Sequence, residues 1–174
     1  MSKEMLCAVC SASAAGFNYG MKIFSLAYNS YETKRNTLTF PDGTEIPEPN
    51  VIGVSEELRR RIQGRLVAKL IELKVTKEEF LLLTVLFLCN PGAGNLSDHG
   101  KSIMFSKQKY YVSALFHHCL ITYQKSGPSR FTDLLFLYQV ICKTFEDMRA
   151  HYEFRKLNNC RLHEKKIFSM DVTD

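Results

Sequence analysis

Proline and glycine are scarce in this chain, 5 and 9 of 174 residues, and a chain so poor in both is not a disordered one. Charge is limited too: 24% of residues are charged against 45% hydrophobic, with a net charge of +5. That balance fits a generic soluble surface, without the concentrated basic face of a nucleic-acid binder. No apolar stretch opens the sequence in the manner of a signal peptide. The longest apolar run, Phe80–Cys89, falls short of the roughly 20 residues that span a bilayer. Four of the six cysteines sit within or beside apolar helical patterns, where a free thiol behaves as a small hydrophobe. An intracellular, reducing location with no membrane span is therefore expected. Catalytic sets are missing as well: no Gly-Lys-Ser/Thr follows Gly92 and Gly94, and no Ser-His-Asp set or glutamate pair is placed by spacing. His117, His118 and Cys119 are neighbours on a helix, so their side chains diverge. An enzyme is not expected.

What is present reads as helices. The segment 21–34 carries Phe24, Tyr28 and Tyr31 at helical spacing. Thr37–Phe40 and Thr44–Ile46 alternate around Pro41-Asp42-Gly43, which predicts a short β-hairpin. Ser55 is placed to cap a helix with Glu56 and Glu57 in its first turn. Leu58, Ile62, Leu66, Leu70 and Leu73 make its apolar stripe, while Arg59, Arg60, Arg61, Arg65 and Lys69 lie mostly on the remaining surface. That basic group reads as a solvated helix face, with a nuclear-import or anion patch as the alternative. Thr76-Lys-Glu-Glu79 is a capping box, and the apolar helix behind it calls for cover on every side. A long helix from Ser97 to about Lys125 buries Met104, Tyr111, Val112, Leu115, Phe116 and Cys119. Gly127 is expected as its C-terminal cap before Pro128 and Ser129 open the last helix. That helix runs from Arg130 towards Leu157, with Phe131, Leu134, Leu135, Tyr138, Ile141, Cys142, Phe145, Met148 and Tyr152 as its main stripe. Phe136, Leu137 and Val140 add a second apolar face suited to another subunit.

Several of these pieces occur in a recognisable order: Lys77-Glu-Glu-Phe-Leu-Leu-Leu-Thr-Val-Leu-Phe-Leu-Cys-Asn-Pro91, Leu96-Ser97, Lys109-Tyr-Tyr-Val-Ser-Ala-Leu115 and Gly127-Pro-Ser-Arg-Phe-Thr-Asp-Leu-Leu135. Together with the upstream helix and the Leu38–Gly43 turn, they resemble the nuclear hormone receptor ligand-binding domain of nematode type over about residues 21–160. The resemblance implies an all-α fold, an incomplete ligand-binding-domain helical sandwich with one short β-hairpin. It also implies an ion pair between Glu79 and Arg130. A small lipophilic ligand is the expected ligand class, with no cofactor, and Phe24, Tyr28, Phe40, Leu66 and Leu70 are the candidate pocket wall. An ordinary core role for these five stands beside that reading.

Cys7-Ala-Val-Cys10 and Ala14–Gly20 resemble the opening of a nuclear receptor DNA-binding zinc finger. A structural zinc needs four ligands, and the next cysteine is Cys89. Cys7 and Cys10 are thus half of a zinc site, and no bound metal is expected. The division implied is a finger remnant, not a folded domain, over residues 1–20, and a partial ligand-binding domain over 21–174. Loss of an intervening stretch, by splicing, gene decay or an erroneous gene model, accounts for the junction near Gly20. The tail Lys166–Val172 stands where the family's activation helix belongs, but Met170 occupies its glutamate position. The expected function is transcription regulation in the nucleus by a truncated receptor that does not itself bind DNA. Its expected partners are a receptor homo- or heterodimer mate on the last long helix, and coregulators. The alternative is a helical dimerisation module, without ligand or DNA binding, that titrates receptor partners.

Overall fold

The computed structural model describes residues 19–46, 55–90 and 96–157. Cys7 and Cys10, Pro47 and Pro49, Pro91–Asn95 and the tail containing Lys166–Val172 lie outside them. Among the described residues the elements are α1 (Tyr19–Glu32), α2 (Glu56–Leu73), α3 (Lys77–Leu88), α4 (Asp98–Tyr123) and, after a 3-10 turn over Gln124–Ser126, α5 (Gly127–Leu157). The fold is all-α. The chain forms two compact units, one of Tyr19–Val75 with the described part of Phe136–Ser169, the other containing Thr76–Leu135.

In the first unit α1 is the most deeply covered helix. Met21, Ile23, Phe24, Leu26, Ala27, Tyr28 and Ser30 are all buried. Its end is a Schellman motif: Arg35 N–H donates to Ser30 O at 2.8 Å and Lys34 N–H to Tyr31 O at 3.0 Å, with Lys34 at a left-handed φ of 57°. The turn that follows is built as its residues demand. Gly43 N–H donates to Phe40 O at 2.9 Å, Thr44 N–H to Asp42 Oδ1 at 2.9 Å, and Gly43 takes a φ of +91° that suits glycine. The expected hairpin is nevertheless reduced to a single bridge between Thr39 and Glu45. The cause is α2: Leu38 N–H donates to Gln63 O at 2.8 Å, so it is diverted from the ladder.

Ser55 caps α2 by accepting from Leu58 N–H, with Glu56 and Glu57 in the first turn. Ile62, Gln63, Leu66, Val67 and Leu70 form its buried face. The basic group on this helix is answered carboxylate by carboxylate. Arg59 and Arg60 pair with Glu56, Arg61 with Glu57, and Lys69 with Glu72. Arg65 Nη1 reaches Asp147 Oδ2 on α5 at 2.7 Å, and Arg61 Nε stands 3.4 Å from the same oxygen. The group is therefore not simply a solvated face, since two of its arginines serve a buried carboxylate.

That carboxylate corrects the reading of α5. Its buried side chains run Leu134, Leu137, Val140, Ile141, Thr144, Asp147, Met148 and His151, a register that includes three polar side chains. Tyr138, placed on the inner stripe by hydrophobicity, is exposed instead. A hydrophobic reading keeps Asp147 outside because an unpaired buried charge is costly. Paired with Arg65 and Arg61, it can go in.

In the second unit the capping box forms as spaced. Glu79 N–H donates to Thr76 Oγ1 at 3.3 Å, and Thr76 N–H to Glu79 Oε2 at 2.9 Å. The apolar helix α3 is not covered on every side, however: Leu81 is 52% and Leu88 47% exposed. On α4 only Leu115 and Cys119 of the expected inner positions are fully buried, the other four being half-buried. Neighbours on a single side suffice for such a helix.

Gly127 is not a cap. It opens α5 with a helical φ of −52°, and the positive-φ residue at the end of α4 is Gln124, with φ 50°. Gly127 is needed for proximity: a Cβ there would stand 2.9 Å from Cys119 O and from Leu120 Cα. The first turn of α5 packs on bare α4 backbone. Gly127→Ala is expected to lower unfolding stability by about 1–3 kcal/mol through overpacking. Gly64→Ala, in α2 where a Cβ meets nothing within 4 Å, should raise it by roughly 0.5–1 kcal/mol. Urea midpoints of the two variants check both signs.

Candidate functional site

The five candidate wall residues fall in one unit. Phe24 and Tyr28 on α1, and Leu66 and Leu70 on α2, are buried, while Phe40 in the hairpin is half-buried. Phe24 and Tyr28 are four apart on one helix, as are Leu66 and Leu70, so each pair shares a face.

Polar groups beside this apolar set escaped the sequence reading. Ser30 and Thr39 are both buried, and their hydroxyls lie 3.0 Å apart. Ser30 Oγ donates to Leu26 O at 3.0 Å and accepts Thr39 N–H at 3.1 Å. Its single proton is therefore used on Leu26, which makes Thr39 Oγ1 the donor of the hydroxyl pair. Thr39 Oγ1 in turn accepts from Arg35 Nη1 at 3.0 Å. The order Arg35 to Thr39 to Ser30 to Leu26 spends both hydroxyl protons inside the protein. Arg35 differs from its neighbours. It lies over the turn, with Nη1 3.5 Å from Phe40 O, and among the described residues it forms no ion pair with a carboxylate. Every arginine of α2 does. A lone Arg between Lys34 and Asn36 carries no periodic signal, so only the fold sets it beside Phe40.

Glu79 and Arg130 meet in the second unit. Glu79 is fully buried and the Arg130 side chain is 12% exposed. Arg130 Nε donates to Oε1 at 2.8 Å and Nη2 to Oε2 at 2.5 Å, a two-pronged charge-assisted bond. The Arg130 guanidinium also stands over the Tyr123 ring, 5.1 Å from its centroid. Burial pushes the Glu79 carboxyl up. The Arg130 hydrogen bond, the Thr76 amide, the Arg130 charge and the Tyr123 hydroxyl together outweigh it and hold the group below its ordinary value of 4.5. Burial, then the Glu79 carboxylate, push the Tyr123 phenol up. The same two causes raise the Cys119 thiol, before the opposing charge of Arg130, which leaves it a poor nucleophile.

The candidate dimer face is only partly available. Phe136 is exposed, but Leu137 and Val140 are buried because the inner register of α5 passes through them. They are core residues and cannot present a surface to another subunit. His117 is exposed and His118 half-buried. Among the described residues no three His, Cys, Asp or Glu side chains group as metal ligands, and no helix is long and apolar enough to cross a membrane.

Removing one member of the ion pair strands the other inside the protein. Glu79→Gln or Arg130→Met alone is expected to cost about 3–5 kcal/mol, and Glu79→Leu with Arg130→Met much less than the sum. Because the folded carboxyl titrates below its unfolded value, its contribution is present above that value and is lost as pH falls through the folded one. Urea unfolding from neutral to acid pH should show that loss in the wild type, and a shallower acid limb in Glu79→Gln.

Residues 8–158 match the family model of the ligand-binding domain of nuclear hormone receptor. The match opens inside the stretch read as a finger remnant. Among curated proteins of Caenorhabditis elegans, nuclear hormone receptor family member nhr-167 is 42% identical over 144 residues, covering 81% of this chain and 42% of that protein. Family member nhr-27 is 44% identical over 133 residues, covering 75% of this chain and 38% of that protein. Family member nhr-9 is 40% identical over 126 residues, at 72% and 38% coverage. The chain spans about two fifths of the length of these relatives. With the family match over most of its length, the chain belongs to the nuclear hormone receptor family through its ligand-binding domain.

Proposed function

We propose that this chain is a ligand-sensing helical module in transcription regulation, located in the nucleus, with no enzymatic activity. Its ligand is a small lipophilic molecule with an anionic end. The apolar body lies against Phe24, Tyr28, Phe40, Leu66 and Leu70, and the anionic end meets Arg35. The observation that carries this is Arg35 itself. Its Nε and Nη2 donors have no partner among the described residues, and the hydroxyls beside it have already spent their protons. An arginine donating to a carboxylate in a partly dry setting contributes more than a neutral hydrogen bond.

In this reading the residues of this chain supply no DNA recognition. Cys7 and Cys10 supply two of the four ligands that a structural zinc needs, too few to hold the ion on which a groove-reading finger depends. A receptor partner on α5 has Phe136 in its favour, half exposed beside Lys69 of α2, whose Nζ lies 6.0 Å from the ring centroid. The pure dimerisation module has less support, since Leu137 and Val140 are core.

Titration with 11-(dansylamino)undecanoic acid, read by fluorescence, tests the ligand reading. Arg35→Met is expected to weaken binding about 10- to 100-fold, whereas Arg149→Met, an exposed cation on α5, leaves it unchanged. Equal affinity in the wild type and Arg35→Met would overturn the anionic class. In a gel shift with the isolated protein, no selectivity among DNA duplexes is expected, and selective retardation would contradict the absence of DNA recognition.

A further inference from the structure

The hairpin that carries Phe40 cannot stand alone. It has one bridge, and two short strands are marginal in water. On one side Ser30 and Thr39 tie it to α1. On the other, Gln63 of α2 holds it through both backbone and side chain. Its backbone carbonyl accepts Leu38 N–H at 2.8 Å. Its Nε2 donates to Glu45 Oε2 at 3.3 Å, and Glu45 Oε1 accepts Thr37 Oγ1 at 3.3 Å. Gln63 thus reaches both arms of the hairpin. Its own Oε1 accepts from Arg59 Nη1 at 2.9 Å, and Arg59 Nε is held by Glu56 Oε2 at 2.8 Å. The amide is oriented from the α2 side and presented to the hairpin.

Position adds to this. Gln63 is buried on the same face of α2 as Leu66 and Leu70, three and seven residues before them in the helical repeat. The residue that spaces the hairpin from α2 is therefore continuous with the α2 side of the wall. We infer that Gln63 is a positioning residue that sets the separation of Phe40 from Leu66 and Leu70, and with it the length and girth of lipophilic ligand admitted. This rests on the ligand-wall reading above.

Gln63→Glu keeps the Arg59 bond and turns the Glu45 contact repulsive. Gln63→Glu with Glu45→Gln restores a donor and an acceptor with their direction reversed. Binding of 11-(dansylamino)undecanoic acid, and its displacement by decanoate against octadecanoate, is measured for both, with circular dichroism confirming the fold. The single variant is expected to lose about five- to tenfold in probe affinity, the worth of a hydrogen bond or so, and to shift the decanoate to octadecanoate preference towards the longer acid. The double variant should restore both. Should Gln63→Glu not fold, Glu45→Ala removes the same contact from the exposed side and carries the same expectation. A wild type that binds, with an unchanged acid preference in the folded single variant or in Glu45→Ala, overturns the role of Gln63 alone. A wild type that binds neither probe nor acid overturns the ligand wall, and this inference with it.

Discussion

A charge can be buried only where an opposite charge meets it, and two carboxylates impose that condition on this chain. Glu79 is enclosed at the start of α3 and answered by Arg130 in the first turn of α5. Asp147 is enclosed further along α5 and answered by Arg65 and Arg61 of α2. Each pair ties α5 to an earlier helix within its own compact unit. The pairs differ in quality. Arg130 meets Glu79 through two aligned hydrogen bonds, whereas Arg65 touches Asp147 closely without one. Breaking the first therefore strands a fully desolvated charge, while the half-exposed arginines of the second keep some access to water.

Once the charges are placed, the apolar packing follows. Asp147 inside brings Thr144 and His151 inside as well, one helical turn to either side. That register turns Leu137 and Val140 into the core and leaves Phe136 and Tyr138 outward. The surface left for a partner on α5 is thus a consequence of an ion pair with α2. The same economy governs the hairpin, where hydroxyl protons committed to Leu26 and Ser30 leave the guanidinium of Arg35 as the polar group with donors to spare.

Much of the organisation was legible in the residues. Ser55, Thr76 with Glu79, and Ser97 mark the helix starts, and each accepts the backbone N–H that its chemistry anticipates. Pro41-Asp42-Gly43 turns where such a triplet should. The order of motifs also pointed to the receptor family. These signals are local: a cap or a turn is satisfied within four residues, so a short window contains its whole cause.

What lies inside was decided by tertiary structure. Hydrophobicity nominated α3 as the central helix, yet Leu81 and Leu88 face solvent and α1 is the helix buried on most sides. Composition cannot tell how many neighbours an apolar helix will have, because that depends on elements far away in sequence. Gly127 looked like a stop signal and is a point of backbone contact with Cys119 and Leu120. Arg35 and Gln63 show no periodicity that would single them out, and gain their roles only when the hairpin is laid between α1 and α2. Helix starts, the closing of the turn and the family could be read from the residues alone, since those depend on neighbouring residues and motif order. Which faces are buried and which polar groups keep donors free emerged with the packing, because both depend on partners supplied by distant segments.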